Sequence, residues 1–487
     1  PESGKYANTV NIFPNGNWIV ILKLSSFSPS DGDLITEKEL ASSHDISSAL
    51  SHAKGNKMLW QTLAISERAA ICQKAVDWFV ENQQMIAEEI SLLMGRPIQS
   101  AQGEIAGLKE RAEYMISIAA DSLKETVIEQ SDKKFKRLIR RSPLGTAFII
   151  APWNYPYLTA VNSIIPALMA GNCVILKHAS QTLLCAERFA QAFQAAGLPT
   201  GIFQYLHLSH EQTLDLIKQD DIHYVSFTGS VSAGKIIEAN LAGCFKPLAL
   251  ELGGKDAAYV RGDADLQASI ESLVDGAFFN SGQSCCGIER IYVDKSLYQN
   301  FVEGFIQQTK KLKLGHALDP TTSLGPMINA RAVLAAQQQI DDALSKGAIS
   351  HISEQDFPLD AKLKQQGFYL TPQVLTQVNH DMAIMREESF APIIGIMPVD
   401  NDTQALAYIN ESDYGLTASV WTQDEKTFLN LSDQIQAGTV FMNRCDYLDP
   451  ALPWSGIKNS GRGCSLSHLA YQQLTQSKSI HIHLLTD

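Results

Sequence analysis

From Thr146 onward the sequence alternates short, almost wholly apolar runs with amphipathic stretches, a rhythm that few architectures accept. Thr146 to Ala151, Asn172 to Lys177, Gln204 to Leu206 and Ile222 to Phe227 read as buried strands. Between them, Leu183 to Ala196 carries apolar residues at helical spacing and closes on Gly197 and Pro199, a helix stop signal. Strands and helices alternating at this spacing imply a parallel, doubly wound sheet with right-handed crossovers. Such sheets bind ligands at the carboxyl ends of their strands. A second alternating region runs from about Leu252 to Gly456. Residues 60 to 125 are different: Ala69, Cys72, Val76, Phe79 and Val80 recur on one helical face, so this stretch is a helical layer. Asp132 to Arg141 resembles an exposed strand, and Ser479 to Leu484 alternates as a strand seeking a partner.

A chain of 487 residues holds about three structural units at roughly 150 residues each. Its net charge of −13 repels polyphosphate backbones and anionic membranes, so no nucleic-acid partner is expected. The longest apolar runs, such as Trp18 to Leu22, fall far short of the roughly 20 residues of a membrane helix, and no membrane partner is expected either. The polar start lacks the hydrophobic stretch of a secretory signal. Eight cysteines show no repeated spacing of a disulfide framework, which points to a reducing compartment and a cytoplasmic location. His481 and His483 share one face of a strand without a cysteine or carboxylate beside them, so no metal site is expected.

Three constellations carry chemistry. Phe227-Thr228-Gly229-Ser230 leaves a strand and enters a helix, where free amides and the helix dipole favour phosphate. Gly229 to Lys235 fits the start of a nucleotide-binding P-loop, but Ile236 stands where a magnesium-binding hydroxyl belongs, and the dinucleotide glycine fingerprint also fails. Phosphate binding therefore stays open as to cofactor. Phe279 to Gly287 presents Cys285 and Cys286 on a loop of small residues, as a thiolate nucleophile requires, and Glu251 lies among glycines as a candidate general base. Pro152-Trp153-Asn154-Tyr155-Pro156 ends the first strand, and its prolines hold Asn154 in fixed geometry as an oxyanion donor.

Together with Lys177, Glu251 to Lys255, Glu387 to Phe390, Gly438 to Asn443 and Gly456 to Gly461, these motifs resemble the NAD(P)-dependent aldehyde dehydrogenase superfamily over about residues 45 to 485. Cys285 and Glu251 also lie at the spacing that family keeps. The resemblance implies an α/β protein: a doubly wound NAD(P)-binding domain (1–122 and 142–250), an α/β catalytic domain (251–456), and a β ribbon with tail (123–141 and 457–487) that joins subunits into a homodimer or homotetramer. It implies an enzyme in which Cys285 attacks an aldehyde, Asn154 holds the oxyanion and Glu251 activates water. Trp153, Lys177, Ser180, Gly229, Ser230, Glu388 and Phe390 are then expected to bind NAD or NADP. Tyr155, Phe279, Ser284, Cys286 and Tyr447 are expected to line the substrate tunnel with Thr159, Asn162 and Leu448. Arg444 is either a carboxylate-binding group or a surface residue.

Two other readings stay within the same resemblance. A CoA-acylating relative typically lacks the base that Glu251 supplies, and a silent binding relative loses Cys285 or Glu251. The family's usual proline, glycine and glycine are replaced by His178, Ala391 and Ser455, none of which removes a reacting group. Ser180 stands where NAD-preferring relatives commonly carry Glu, so NADP⁺ is expected to be accepted at least as well as NAD⁺. Lys177 adds positive charge there, and His178 adds more when protonated.

Overall fold

The computed structural model describes residues 7–12, 18–129 and 134–485. Residues 1–6, 13–17, 130–133 and 486–487, parts of the expected units and ribbon, lie outside that range. The first α/β unit is a six-stranded sheet. Its order runs Phe203–Tyr205, Cys173–Lys177, Thr146–Ile150, Tyr224–Thr228, Leu248–Glu251 and Gly461–Arg462, with only the last strand antiparallel. Every residue of Thr146–Ile150 and Cys173–Lys177 is buried, which explains their unbroken apolar runs. The chain first winds outward from Thr146–Ile150, then returns to its other side at Tyr224–Thr228. That reversal opens a crevice at the carboxyl ends of these two strands.

The helical layer consists mainly of Ser43–Thr62, Ile65–Glu81, Gln83–Met94 and Gly103–Leu123. Cys72, Val76 and Phe79 point inward, and Phe79 meets Tyr157 and Phe189 at centroid distances of 5.6 and 5.0 Å. This stripe pins the layer to helix Pro156–Met169, which begins directly after the Asn154 turn. Ahead of it, strands Trp18–Phe27 and Leu34–Glu39 pair with each other, and the Ser26 hydroxyl donates to the Ser180 carbonyl at 2.8 Å. The first 40 residues thus include a strand braced against the turn that carries Ser180.

The second α/β unit is a seven-stranded sheet ordered Ile349–Ser350, Gln373–Thr376, Ile393–Val399, Ile288–Asp294, Asp256–Val260, Thr417–Trp421 and Thr439–Met442. All pairs are parallel except the first. Thr126–Ile128, Phe135–Pro143 and Thr475–His483 form a third, antiparallel sheet, where the Phe135 ring stacks on His483 at 4.5 Å. The segment after residue 456 is shared among units. Gly461–Arg462 joins the first sheet, Ser467–Gln473 packs on Gly103–Leu123 through Tyr471, and only Thr475–His483 enters the ribbon.

Candidate active site

The site forms between the ends of first-sheet strands and the loop that leads into the second-sheet strand Ile288–Asp294. Glu251 ends the strand Leu248–Glu251, and the chain then passes beside the cysteine loop so tightly that a Cβ on Gly254 would lie 2.6 Å from the Cys285 carbonyl. Glycine is required by that close approach. In the loop itself Asn280, Ser281 and Gly282 take left-handed φ of 53°, 56° and 68°. Such strain persists only where surroundings over-determine it. Here Gln283 supplies the anchor: its amide oxygen accepts from Ile328 N at 2.8 Å, and its amide nitrogen donates to the Asn280 and Pro326 carbonyls. Cys285 emerges partly exposed from this clamp, whereas Ser284 and Cys286 are buried.

Asn154 is brought to the same loop, and its side-chain amide donates to the Gln283 carbonyl at 3.2 Å, which leaves a second N–H. Behind it lies Arg96, a buried cation that the sequence reading did not single out. Arg96 pairs with Glu104, donates to Asn280 Oδ1 at 3.2 Å and to the Asn154 carbonyl, and stacks over the Tyr155 ring at 4.4 Å. Glu104 in turn accepts from the Tyr157 and Leu158 amides at 2.9 and 3.0 Å, satisfying the first turn of helix Pro156–Met169. One ion pair therefore ties the Asn154 turn to the cysteine loop.

The charges differ in how they are held. Burial pushes the Glu251 carboxyl above its usual range, and its hydrogen bond from Thr228, at 3.4 Å, is long. A weakly tied, partly desolvated carboxylate suits a general base. The Cys286 thiol is held well above the ordinary range by its hydrogen bond with Cys285, by burial and by Asp446. Cys286 and the Ser284 hydroxyl both donate to Asp446 Oδ1, at 3.0 and 2.8 Å. Of the two adjacent thiols, Cys286 is thus kept protonated.

Glu251, Cys285, Tyr155, Phe279, Tyr447 and Trp454 line one cavity of about 250 Å³, to which Ser284, Cys286, Thr159, Asn162 and Leu448 also contribute. All five expected substrate residues meet there. Arg444 does not; it is exposed and lies over the outer Tyr447 ring at 3.4 Å. No histidine lines this cavity, so Cys285 has no imidazole partner there.

The expected cofactor residues flank the crevice. Ser230 caps the helix Val231–Leu241 by accepting from Ala233 N at 3.3 Å, and a Cβ on Gly229 would meet the Phe227 ring at 2.5 Å. Glycine thus leaves the amide end of the helix open, a cradle that fits a dinucleotide's pyrophosphate. Trp153 and Phe390 meet edge to face at 5.7 Å. Glu388 accepts from Gly254 N at 3.1 Å, and burial together with the neighbouring Glu289 pushes its carboxyl up to about 8. Glu289, also absent from the sequence reading, pairs with buried Lys255 at 2.7 Å and accepts from the Ser389 and Phe390 amides, both at 2.8 Å. Lys177 ends its strand, and Ser180 is exposed at the adjoining turn.

One expectation is corrected. His178 is 2% exposed, its Nε2 meets the Pro156 carbonyl at 3.0 Å, and its Nδ1 meets Thr182 and its neighbouring amide. Burial holds its pKa down to about 4, so it is neutral and adds no charge beside Ser180.

A profile of the aldehyde dehydrogenase family matches residues 22–480. The chain is 30% identical over 457 residues to succinate semialdehyde dehydrogenase [NAD(P)+] Sad of Escherichia coli (strain K12), covering 93% of this chain and 97% of that one. It superposes on NADP-dependent glyceraldehyde-3-phosphate dehydrogenase of Bacillus halodurans C-125, solved with NADP, with a TM-score of 0.89 at 29% identity, covering 98% and 100% of the two chains. It also superposes on PnpE, solved with nicotinamide adenine dinucleotide, with a TM-score of 0.91 at 28% identity, covering 99% and 98%.

Proposed function

Because the chain belongs to the aldehyde dehydrogenase family, we propose that it oxidises an aldehyde to the carboxylic acid with NAD(P)⁺ through a thioester on Cys285. The observation that carries this reading is the shared cavity. A partly exposed thiol and a weakly tied carboxylate open into the same space, with the Asn154 amide on the loop beside them.

The Cys285 thiolate attacks the aldehyde carbon, and the carbonyl oxygen, now an oxyanion, accepts from the remaining Asn154 N–H and from the Cys285 backbone N–H. A bound nicotinamide would supply the acceptor for the hydride that leaves this carbon. Glu251 then takes a proton from water, which cleaves the thioester and frees the thiolate. The Cys286 thiol stays protonated against Asp446 and does not compete. Glu388, Phe390 and Trp153 would hold the nicotinamide end, Gly229 and Ser230 the pyrophosphate, and Lys177 and Ser180 the adenosine ribose. With Ser180 in place of a carboxylate, NADP⁺ is accepted at least as well as NAD⁺.

Residues 1–122 and 142–250 act as the cofactor domain and 251–456 as the catalytic domain. The ribbon within 123–141 and 457–487 exposes strand edges suited to pairing in a homodimer or homotetramer. Among the described residues no helix is long and apolar enough to cross a membrane. The acidic charge suits a cytoplasmic enzyme of small aldehydes.

The test is a pair of variants. Cys285→Ala abolishes aldehyde-dependent NAD(P)H formation, while Cys286→Ala retains most of it. Loss in Cys286→Ala with retention in Cys285→Ala refutes the assignment.

A further inference from the structure

The mechanism leaves one buried charge unused. Helix Gly103–Leu123 presents Gly107, Glu110 and Arg111 on one face, and all three line the cavity that holds Cys285 and Glu251. Arg111 is only 9% exposed. Its Nη1 donates to the Leu158 carbonyl at 2.9 Å and to Asn162 Oδ1 at 3.4 Å, both neutral acceptors. Among the described residues no carboxylate comes within 4.0 Å of its guanidinium. Guanidinium stays protonated and offers five N–H donors in a planar fork, so Nε and Nη2 remain without a protein acceptor. Buried charges are ordinarily paired.

Asn162 adds a second observation. It is 1% exposed, its Oδ1 is turned to Arg111, and its Nδ2 has no hydrogen-bond partner. The carboxylates nearby act on Arg111 through space, Glu104, Glu251 and Glu110 among them, but none of them accepts a hydrogen bond from it. Asp446 accepts from Ser284 and Cys286, Glu110 accepts from Tyr447, Glu251 accepts from Thr228, and Asp275 is open to solvent. The cavity therefore holds a reacting thiol together with a buried Asn162 amide donor and guanidinium donors of Arg111 that have no protein acceptor.

We propose that Arg111 and Asn162 form an anion-recognition site inside the substrate cavity, and that the substrate is an aldehyde with a carboxylate at its far end. The proposal rests on the reading of this cavity as the seat of aldehyde oxidation. A carboxylate matches the guanidinium fork bidentately, and Asn162 Nδ2 supplies a further donor. At about 250 Å³ the cavity is smaller than the roughly 300–1,000 Å³ of drug-sized ligand sites, which favours a short spacer. Arg111 thereby takes the role that the sequence offered to Arg444.

The experiment compares kcat/KM for succinic semialdehyde, its primary amide, the matching amino-aldehyde and a phosphorylated aldehyde. The unsubstituted enzyme favours the carboxylate over the amide by about 10²-fold or more, the usual scale for a buried charge pair. Arg111→Gln brings the two within about threefold of each other, chiefly through KM, and Arg111→Lys restores part of the preference. Parity in the unsubstituted enzyme, or preference for the amino-aldehyde or the phosphorylated one, overturns the proposal. So does an Arg111→Gln variant that loses turnover of every substrate equally, since that marks a structural role. Failure of the underlying reading looks different: no aldehyde is turned over, or turnover survives Cys285→Ala.

Discussion

Replacing Arg96 by Met removes the cation on which both loops of the site converge. In the Arg96–Glu104 pair the two side chains are 1% and 0% exposed, so the substitution strands a buried carboxylate. Breaking such a pair from one side costs about 3–5 kcal/mol. Glu104 keeps the Tyr157 and Leu158 amides at a helix N-terminus, which offsets up to about 2 kcal/mol. Asn280 Oδ1 loses its donor at a cost of about 1 kcal/mol, while the Asn154 carbonyl keeps Asn280 Nδ2 at 3.3 Å. The expected net loss is about 3 kcal/mol. Adding Glu104→Gln removes the stranded charge and should recover at least about 1 kcal/mol. Urea unfolding followed by far-UV circular dichroism, at one fixed protein concentration, measures both values. Turnover of the single variant should fall by on the order of 10², because a displacement of about 1 Å at the reacting groups has that effect. A single variant within about 0.5 kcal/mol of the parent, or a double variant no more stable than the single, refutes this account of what holds the site.

Two further predictions concern the cofactor crevice. The Glu388 carboxyl rises from 4.5 to about 8 on folding, so between those values the folded state binds more protons than the unfolded state. Its contribution to stability is therefore greatest at the acid end of that window and is lost as pH rises through about 8. Urea titrations across the window should show a slope that Glu388→Gln flattens; an unchanged slope removes Glu388 as its source. Ser180→Glu should shift the kcat/KM ratio toward NAD⁺ by tenfold or more, an order-of-magnitude effect of about 1.4 kcal/mol for an unpaired like charge against a 2′-phosphate. A parent enzyme already preferring NAD⁺ by about a hundredfold contradicts the premise.

Much of the fold was legible because its central strands are buried on both faces. Thr146–Ile150 and Cys173–Lys177 can only be continuous apolar runs, and Gly197, with φ of +78°, marks a real helix end. The reacting candidates were legible because each sits in a local motif. Arg96, Arg111 and Glu289 were not, since the contacts that tie them to the site, with Asn280, Leu158 and Phe390 in turn, reach across 184, 47 and 101 positions. Helical spacing of Gly107, Glu110 and Arg111 was the one available signal for the anion site, and it shows only that they share a face. His178 misled for the opposite reason: burial, which sequence does not display, decides whether an imidazole carries charge.

The most direct test of the chemistry is a rapid-quench mass measurement on Glu251→Gln mixed with aldehyde and NAD(P)⁺. If Glu251 activates the hydrolytic water, losing it slows thioester cleavage by about 10² to 10⁴ while the first NAD(P)H still forms, and an acyl group accumulates on the peptide containing Cys285. Modification mapped to Cys286, or no adduct with the first NAD(P)H slowed equally, contradicts the account.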